Sequence, residues 1–163
     1  PVFQMQIRAG GPVTLTDPRM TRFVMSVKQT VRLVTKALEI AKGGEVFVTK
    51  MPVIRIEDLA QVMINQLGPE YGYDPSDIEI EEIGSERGEK IYEELMSEEE
   101  ARRAVELDDF FIILPAFRDL YSDVTYGQEE VVGRSIDKSY VSKDEPCLTK
   151  EELLHFLSKS KVL

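Results

Sequence analysis

Apolar residues in the second quarter of the chain repeat at the spacing of an α-helix. Ser26 and Gln29 form a capping-box pattern at the start of this repeat. The apolar positions then recur every three or four residues, at Val27, Val31, Val34, Leu38 and Ala41. This periodicity predicts an amphipathic helix with one apolar stripe, which ends at the Gly43-Gly44 pair.

Strand-like and helix-like patterns alternate along the rest of the chain. Short apolar or alternating runs predict a buried strand over 45–49, a half-exposed strand over 77–81 and an apolar strand over 110–114. Helical patterns occur at 2–7, at 56–67, from about residue 89, at 97–105 and from Thr149 onward. Residues 118–138 have no period and predict a long ordered loop. No linker or repeat divides the chain, so the sequence predicts one α/β domain over residues 1–163.

Composition and charge narrow the possible functions. The 163-residue chain has a formal net charge of -10 and 42% hydrophobic residues, which predicts a globular protein and argues against a nucleic-acid partner. No apolar run approaches the length of a membrane span. Cys147 is the only cysteine, which favours a reducing, cytoplasmic location. We interpret Cys147 as an ordinary thiol, the single histidine His155 as a helix-surface residue, and the acidic runs as solvated charge rather than a metal site.

The sequence lacks two kinds of motif, one for binding a nucleotide cofactor and one for acid–base catalysis. The ten glycines contain neither a G-x-G-x-x-G nor a Walker-type spacing. No tyrosine is followed by lysine four residues later, as the acid–base pair of short-chain dehydrogenases would require. We therefore expect no catalytic residue and no cofactor bound by this chain alone.

Fixed positive charges next to predicted loop and helix boundaries are the remaining chemical signal. Arg22 precedes the Ser26 cap, whereas Arg87, Gly88 and Lys90 lie at a predicted helix start, where backbone amides favour an anion. An anion site and ordinary surface ion pairs both fit this pattern.

A series of motifs resembles the C-terminal half of nucleotide-sugar 4,6-dehydratases. The motifs, in chain order, are 11–23 (GPVTLTDPRMTRF), 43–48 (GGEVFV), 58–60 (DLA), 88–95 (GEKIYEEL) and 108–115 (DDFFIILP), followed by a similar terminal segment over 139–153. The closest branch is the polysaccharide-biosynthesis group that acts on UDP-N-acetylglucosamine. The resemblance implies the substrate-binding C-terminal portion of an extended short-chain dehydrogenase/reductase fold. One departure is that the family usually has Arg-Pro before Gly-Glu-Lys, where this chain has Glu86-Arg87.

The resemblance also implies roles for individual residues. Arg22 matches an arginine on the diphosphate, Thr16 belongs to a loop touching the base, and Glu89 matches a carboxylate that holds the nucleotide through ribose hydroxyls. Arg87 matches the second phosphate arginine, displaced by one residue. The start of the chain matches the end of a segment that lines the nucleotide site, and its residues are Pro1, Val2 and Phe3.

The implied partners are a UDP-sugar and an NAD(P)-binding Rossmann half, which is located upstream or in a separate chain. A homo-oligomer is a further assembly that we consider. NAD(P) is expected in the complete enzyme, a lyase that oxidises the sugar at C4, removes water across C5 and C6 and returns the hydride. Two alternatives stay open. The chain is either a free-standing or vestigial interaction module without catalysis, or the substrate half of a nucleotide-sugar 4-epimerase. In each case, apolar surface that faces the missing half would be left exposed to water.

Overall fold

Helices and short strands alternate in the computed structural model, which describes residues 1–85, 88–116, 133–134 and 136–160. The helices are α1 Val2–Arg8, α2 Val27–Ile40, α3 Ile56–Glu70, α4 Glu98–Ala101 and α5 Lys150–Lys159. The strands are β1 Val13–Leu15, β2 Thr21–Phe23, β3 Val46–Thr49, β4 Val53–Arg55, β5 Ile80–Glu82, β6 Glu94–Met96, β7 Ala104–Glu106, β8 Phe110–Ile113, β9 Gly133–Arg134 and β10 Tyr140–Val141. The predicted α/β class is confirmed. Contacts divide the chain into two compact units, each described by itself below.

The first unit comprises the described residues of Pro1–Val24, Pro52–Glu93 and Pro146–Leu163. In it β1 pairs with β5 in parallel, and β2 pairs with β4 antiparallel, with Arg22 opposite Ile54. Helix α3 lies at its centre because two of its faces are apolar. One face packs with α1 and β1, in a cluster of Ile7, Val13, Leu15, Ala60, Met63, Ile64, Leu67 and Ile78. The other packs against α5 through Val62, beside Leu153 and Leu157.

The second unit comprises the described residues of Met25–Met51 and Glu94–Glu145. Its antiparallel sheet has the strand order β3-β8-β7-β9, and β10 pairs with β6. All four residues of β8 are buried, as its uninterrupted apolar sequence predicts. Leu107, Phe110 and Ile112 form the core, and Leu33 and Ile40 of α2 pack against it.

The apolar stripe of α2 is not the face of the helix that packs on this core. The Ser26–Gln29 capping box is confirmed, but the exposed fractions are 83% for Val27, 60% for Val31, 53% for Val34 and 79% for Leu38. No residue of α2 is classed as buried. Helix α2 therefore presents its most regular apolar face to solvent in the described part of the chain, which is unusual for a surface helix.

Several predicted boundaries are wrong for identifiable reasons. No helix starts near residue 89, since Gly88 to Glu93 form turns and irregular backbone and 94–96 form β6. The helix predicted over 97–105 ends at Ala101, because 104–106 pair with β8 and with β9. The 77–81 strand starts later, at Ile80, after a 3₁₀ turn at Pro75–Asp77. Strand β3 forms as predicted, but only Val48 in it is buried.

The other predicted helices agree with the structure more closely. Helices at the chain start, over 56–67 and after Thr149 are confirmed, although α3 runs through Gly68 and Pro69 to Glu70. Most of the predicted loop over 118–138 lies outside the described residues. Of the part that is described, 133–134 form β9. The prediction of a single domain stays a prediction.

Candidate functional site

A fixed turn precedes β2 in the first unit. The Asp17 carboxylate accepts hydrogen bonds from the Arg19 backbone N–H (2.8 Å), from Arg19 Nε (3.0 Å) and from Arg19 Nη2 (2.6 Å). The Met20 N–H donates to the Asp17 carbonyl over 3.1 Å, closing the turn. The side-chain hydrogen bond from Arg19 holds the pKa of the Asp17 carboxyl below its ordinary value. The turn sets the spacing of Thr16 and Arg22, which flank it.

The Arg22 guanidinium contacts the segment 90–93. Nη1 donates to the carbonyls of Thr21 (2.7 Å) and Ile91 (3.2 Å), and Nη2 donates to the carbonyl of Lys90 (2.7 Å). Nε lies 3.4 Å from a carboxylate oxygen of Glu93. The Arg22 side chain is 26% exposed, so its outer edge still reaches solvent.

The same segment contacts the β2 backbone and Thr16. The Thr21 N–H donates to the Ile91 carbonyl over 2.9 Å, so residues 90–91 run along the edge of β2. Thr16 Oγ1 donates to Glu89 Oε1 at 3.5 Å, a long contact. The structure therefore brings three of the predicted site residues, Thr16, Arg22 and Glu89, to one edge of the first unit.

Three other predicted site residues, Pro1, Val2 and Phe3, do not contact this group within the described residues. Pro1 and Val2 are exposed at the start of α1, and Phe3 packs on the cluster around Ile7. No hydrogen bond or ion pair within the described part of the chain joins these three residues to Thr16 or Arg22. Arg87 lies outside the described residues. Gly88 to Lys90 are not helical, so at these described positions the predicted helix start is wrong and offers no helix-terminal amides to an anion.

Sequence reasoning missed the residues that shape the site. Asp17 and Arg19 build the turn, and Glu93 is the acidic partner of Arg22. The Asp-Pro-Arg order is a detectable signal for the turn, because an aspartate that accepts from the amide two residues later forms an Asx-turn. Glu93 had no such signal, since its role depends on a contact over 71 positions.

In chemical terms the site combines one guanidinium, one hydroxyl and two carboxylates. Two Arg22 donors remain for a ligand: the Nε–H, which faces Glu93, and a second Nη2–H with no hydrogen-bond partner among the described residues. A guanidinium suits a phosphate oxygen, and a carboxylate suits the hydroxyls of a sugar. The arrangement fits a small ligand that carries both groups.

A cavity of about 440 Å³ in the second unit offers no comparable site. Its charged lining residues are neutralised in pairs, Lys50 with Glu106 at 2.7 Å and Lys138 with Glu145 at 3.5 Å. Tyr140 also lines it, but its hydroxyl is bound to the Met51 backbone. We therefore place the candidate site at Arg22, on chemistry rather than on cavity size.

The described residues do not include the glycine-rich turn that holds a dinucleotide cofactor. Such a cofactor needs a glycine-rich turn between a strand and a helix. Within the described residues, the strand-to-helix junctions before α2, α3, α4 and α5 contain no glycine. Within the same residues, no helix is both long and apolar enough to cross a membrane.

Comparison with known proteins identifies relatives of this chain. Residues 1–115 match the family described as "Polysaccharide biosynthesis protein". A protein of Methanocaldococcus jannaschii described as an uncharacterized membrane protein is 48% identical over 98% of this chain and 44% of its own length. A UDP-glucose 4-epimerase of Rickettsia rickettsii is 37% identical over 96% of this chain and 44% of its own length.

A solved structure is also similar. The X-ray structure of Pen from Bacillus thuringiensis superimposes with a TM-score of 0.84 at 39% identity, over 100% of this chain and 45% of Pen. The chain thus spans less than half the length of these relatives.

Proposed function

Because the chain belongs to the polysaccharide biosynthesis protein family, we propose that it is the nucleotide-sugar-binding portion of a UDP-N-acetylglucosamine 4,6-dehydratase-type enzyme. The observation that carries the proposal is the meeting of Thr16, Arg22 and Glu89 at the edge of β2. These residues come from motifs that lie up to 73 positions apart. A guanidinium and a carboxylate on one edge are what a sugar nucleotide requires of its binding site.

Each of the three side chains has a defined task in this proposal. Arg22 directs its outer N–H groups at the diphosphate, where a planar guanidinium binds two oxygens at once. Glu89 accepts hydrogen bonds from the ribose hydroxyls, and Thr16 contacts the base. The chain's own contribution is to bind and orient the nucleotide. NAD(P), held elsewhere in the complete enzyme, would supply the hydride chemistry.

The complete enzyme needs a further polypeptide portion. The relatives are more than twice as long as the matched segment, and α2 exposes an apolar stripe from Val27 to Leu38. A stripe of this kind is stabilised when another apolar surface covers it. We propose that the NAD(P)-binding portion covers this stripe, in the same polypeptide or as a separate chain.

Calorimetric titration of the 163-residue chain with UDP and UDP-N-acetylglucosamine tests the binding proposal. Both ligands should bind, and Glu89→Gln should weaken both, because the amide replaces one of the two acceptor oxygens with a donor. Arg55→Ala is the control for a general effect of removing an exposed charge from this unit, since Arg55 pairs with Asp58 and contacts none of the three site residues among those described. Wild-type chain that binds neither ligand would leave the interaction-module alternative standing.

A nucleotide-sugar 4-epimerase is the second candidate. The similarity to the Rickettsia UDP-glucose 4-epimerase covers 96% of this chain, and a 4-epimerase needs the same contacts to the nucleotide. Co-expression with the part of the Methanocaldococcus relative outside the matched segment separates the two reactions. Loss of water from UDP-N-acetylglucosamine, seen as a mass decrease of the product, supports the dehydratase, whereas a product of unchanged mass with inverted C4 supports the epimerase.

A further inference from the structure

We propose that Arg22 is a positioning residue that clasps the segment 88–93 against β2 before any ligand binds, and so sets the place of Glu89. The inference deepens the proposed function and rests on it for the identity of the ligand. It assigns to Arg22 a task beyond contact with an anion. The clasp consists of the guanidinium and the backbone carbonyls of Thr21, Lys90 and Ile91.

The donor geometry supports the clasp. Three of the five guanidinium N–H groups are used on backbone carbonyls, and two of those carbonyls belong to the segment at positions 90 and 91. A residue reserved for an anion would keep its donors directed at solvent. The guanidinium plane instead spans from its own strand to the neighbouring segment, a geometry that a fixed planar fork can adopt.

Glu89 directly precedes the two residues of the segment whose carbonyls Arg22 holds. Gly88 adopts φ +95°, and a Cβ placed there would meet no atom within 4 Å among the described residues. The Thr21 N–H to Ile91 carbonyl hydrogen bond and the long Thr16–Glu89 contact also join this stretch to β2 and its turn. Loss of the guanidinium would remove its hydrogen bonds to the Lys90 and Ile91 carbonyls, and the clasp predicts that the adjoining Glu89 then shifts.

Lysine cannot replace this function. A lysine at position 22 would keep the positive charge but presents one compact ammonium group in place of a planar fork. It can reach one of the three carbonyls, and the other two lose their guanidinium donor. Charge and clasp are thus separable by Arg22→Lys, which preserves the first and removes the second.

The first measurement needs no ligand. Amide exchange at Thr21, followed by NMR on the 163-residue chain, reports the clasp because this amide is bonded to the Ile91 carbonyl. We expect exchange at Thr21 to be roughly tenfold faster or more in Arg22→Lys, the scale of losing one charge-assisted hydrogen bond. Arg55→Lys on the paired strand β4 is the matched control and should leave Thr21 exchange unchanged. Wild-type exchange at Thr21 in Arg22→Lys overturns the proposal.

The second measurement compares uridine with UDP. Uridine carries no phosphate, so an arginine that only binds the diphosphate has no effect on it. The clasp predicts that Arg22→Lys weakens uridine as well as UDP, because Glu89 is displaced, whereas Arg55→Lys changes neither. Uridine affinity equal to that of the wild type in Arg22→Lys overturns the positioning of Glu89.

Two further results keep the inference separable from folding and from the proposed function. If Arg22→Lys does not fold, the NMR signals of the wild-type Arg22 guanidinium decide: restricted rotation of its Nη groups without ligand supports the clasp, and free rotation overturns it. If the wild-type chain binds neither uridine nor UDP, the proposed function fails, and the Thr21 exchange rate alone decides whether the clasp exists.

Discussion

Replacing the exposed apolar side chains of α2 should separate folding of this chain from its docking to a larger assembly. The double variant Val31→Ser with Leu38→Ser alters two positions that are 60% and 79% exposed. Leu33→Ala, on the same helix, is the matched control, because Leu33 packs against the core of the second unit. The three positions lie in one helix, and because serine has a lower helix propensity than alanine, propensity alone would not make Leu33→Ala the more destabilising change.

The magnitudes follow from the exposed fractions. Complete burial of a valine or leucine side chain is worth about 1.5–3 kcal/mol. The parts of Val31 and Leu38 that still face water add up to somewhat more than one whole side chain. Their loss should therefore cost a docked assembly about 2–4 kcal/mol, or roughly 30- to 1000-fold in dissociation constant. In the chain alone, the same change should cost less than about 1 kcal/mol.

Two assays test whether a larger assembly docks at this stripe. Urea unfolding of the chain alone should show a larger loss for Leu33→Ala than for the double variant, and sedimentation should report docking to the rest of the Methanocaldococcus relative. Equal dissociation constants for wild type and double variant would refute docking at this stripe. A wild-type chain that forms a dimer alone, lost in the double variant, would identify a second copy of the chain as the occupant instead.

Three smaller predictions concern packing and protonation. Leu153→Ala, at a site 1% exposed, should cost about 2–5 kcal/mol in urea unfolding, whereas His155→Ala on the exposed face of the same helix should stay within about 0.5 kcal/mol of wild type. Tyr140→Phe should cost about 1–3 kcal/mol in the same assay, because it leaves the Met51 N–H and carbonyl without the phenol. Because the folded-state pKa of Asp17 is lowered, the carboxylate stabilises the fold above its unfolded pKa, and this contribution disappears as pH falls through the folded pKa. Asp17→Asn should therefore destabilise the chain at neutral pH, and the difference from wild type should shrink below about pH 4.

Helix starts that carry a capping box were predictable because the determinants of a capping box are local, whereas the start near residue 89 was not. Capping boxes form at Ser26, Ser97 and Thr149, each of which has a Gln or Glu three residues later in the sequence. A capping box needs only side chains three residues apart and the intervening amides. Helix ends depended on more distant contacts. The end of α4 at Ala101 is set by the pairing of β7 with β8, which no local sequence signal indicates.

The orientation of α2 was not predictable from periodicity. A stripe at helical spacing identifies one apolar face, but α2 packs on its core through Leu33 and Ile40 instead. A second, neighbouring face of this helix also carries apolar residues, so the pattern fits more than one orientation. Which face packs is decided by the sheet, whose core residues Leu107, Phe110 and Ile112 are distant from α2 in sequence.

The candidate site was partly predictable, and its least predictable part explains the failed helix. Propensity favours a helix over Glu-Lys-Ile-Tyr-Glu-Glu-Leu at 89–95. In such a helix the carbonyls of Lys90 and Ile91 would accept from the amides four residues later. Those carbonyls instead accept from Arg22 and from the Thr21 N–H, while residues 94–96 pair with β10. Tertiary hydrogen bonds thus replace local ones, and the same exchange that removes the helix places Glu89 next to Thr16.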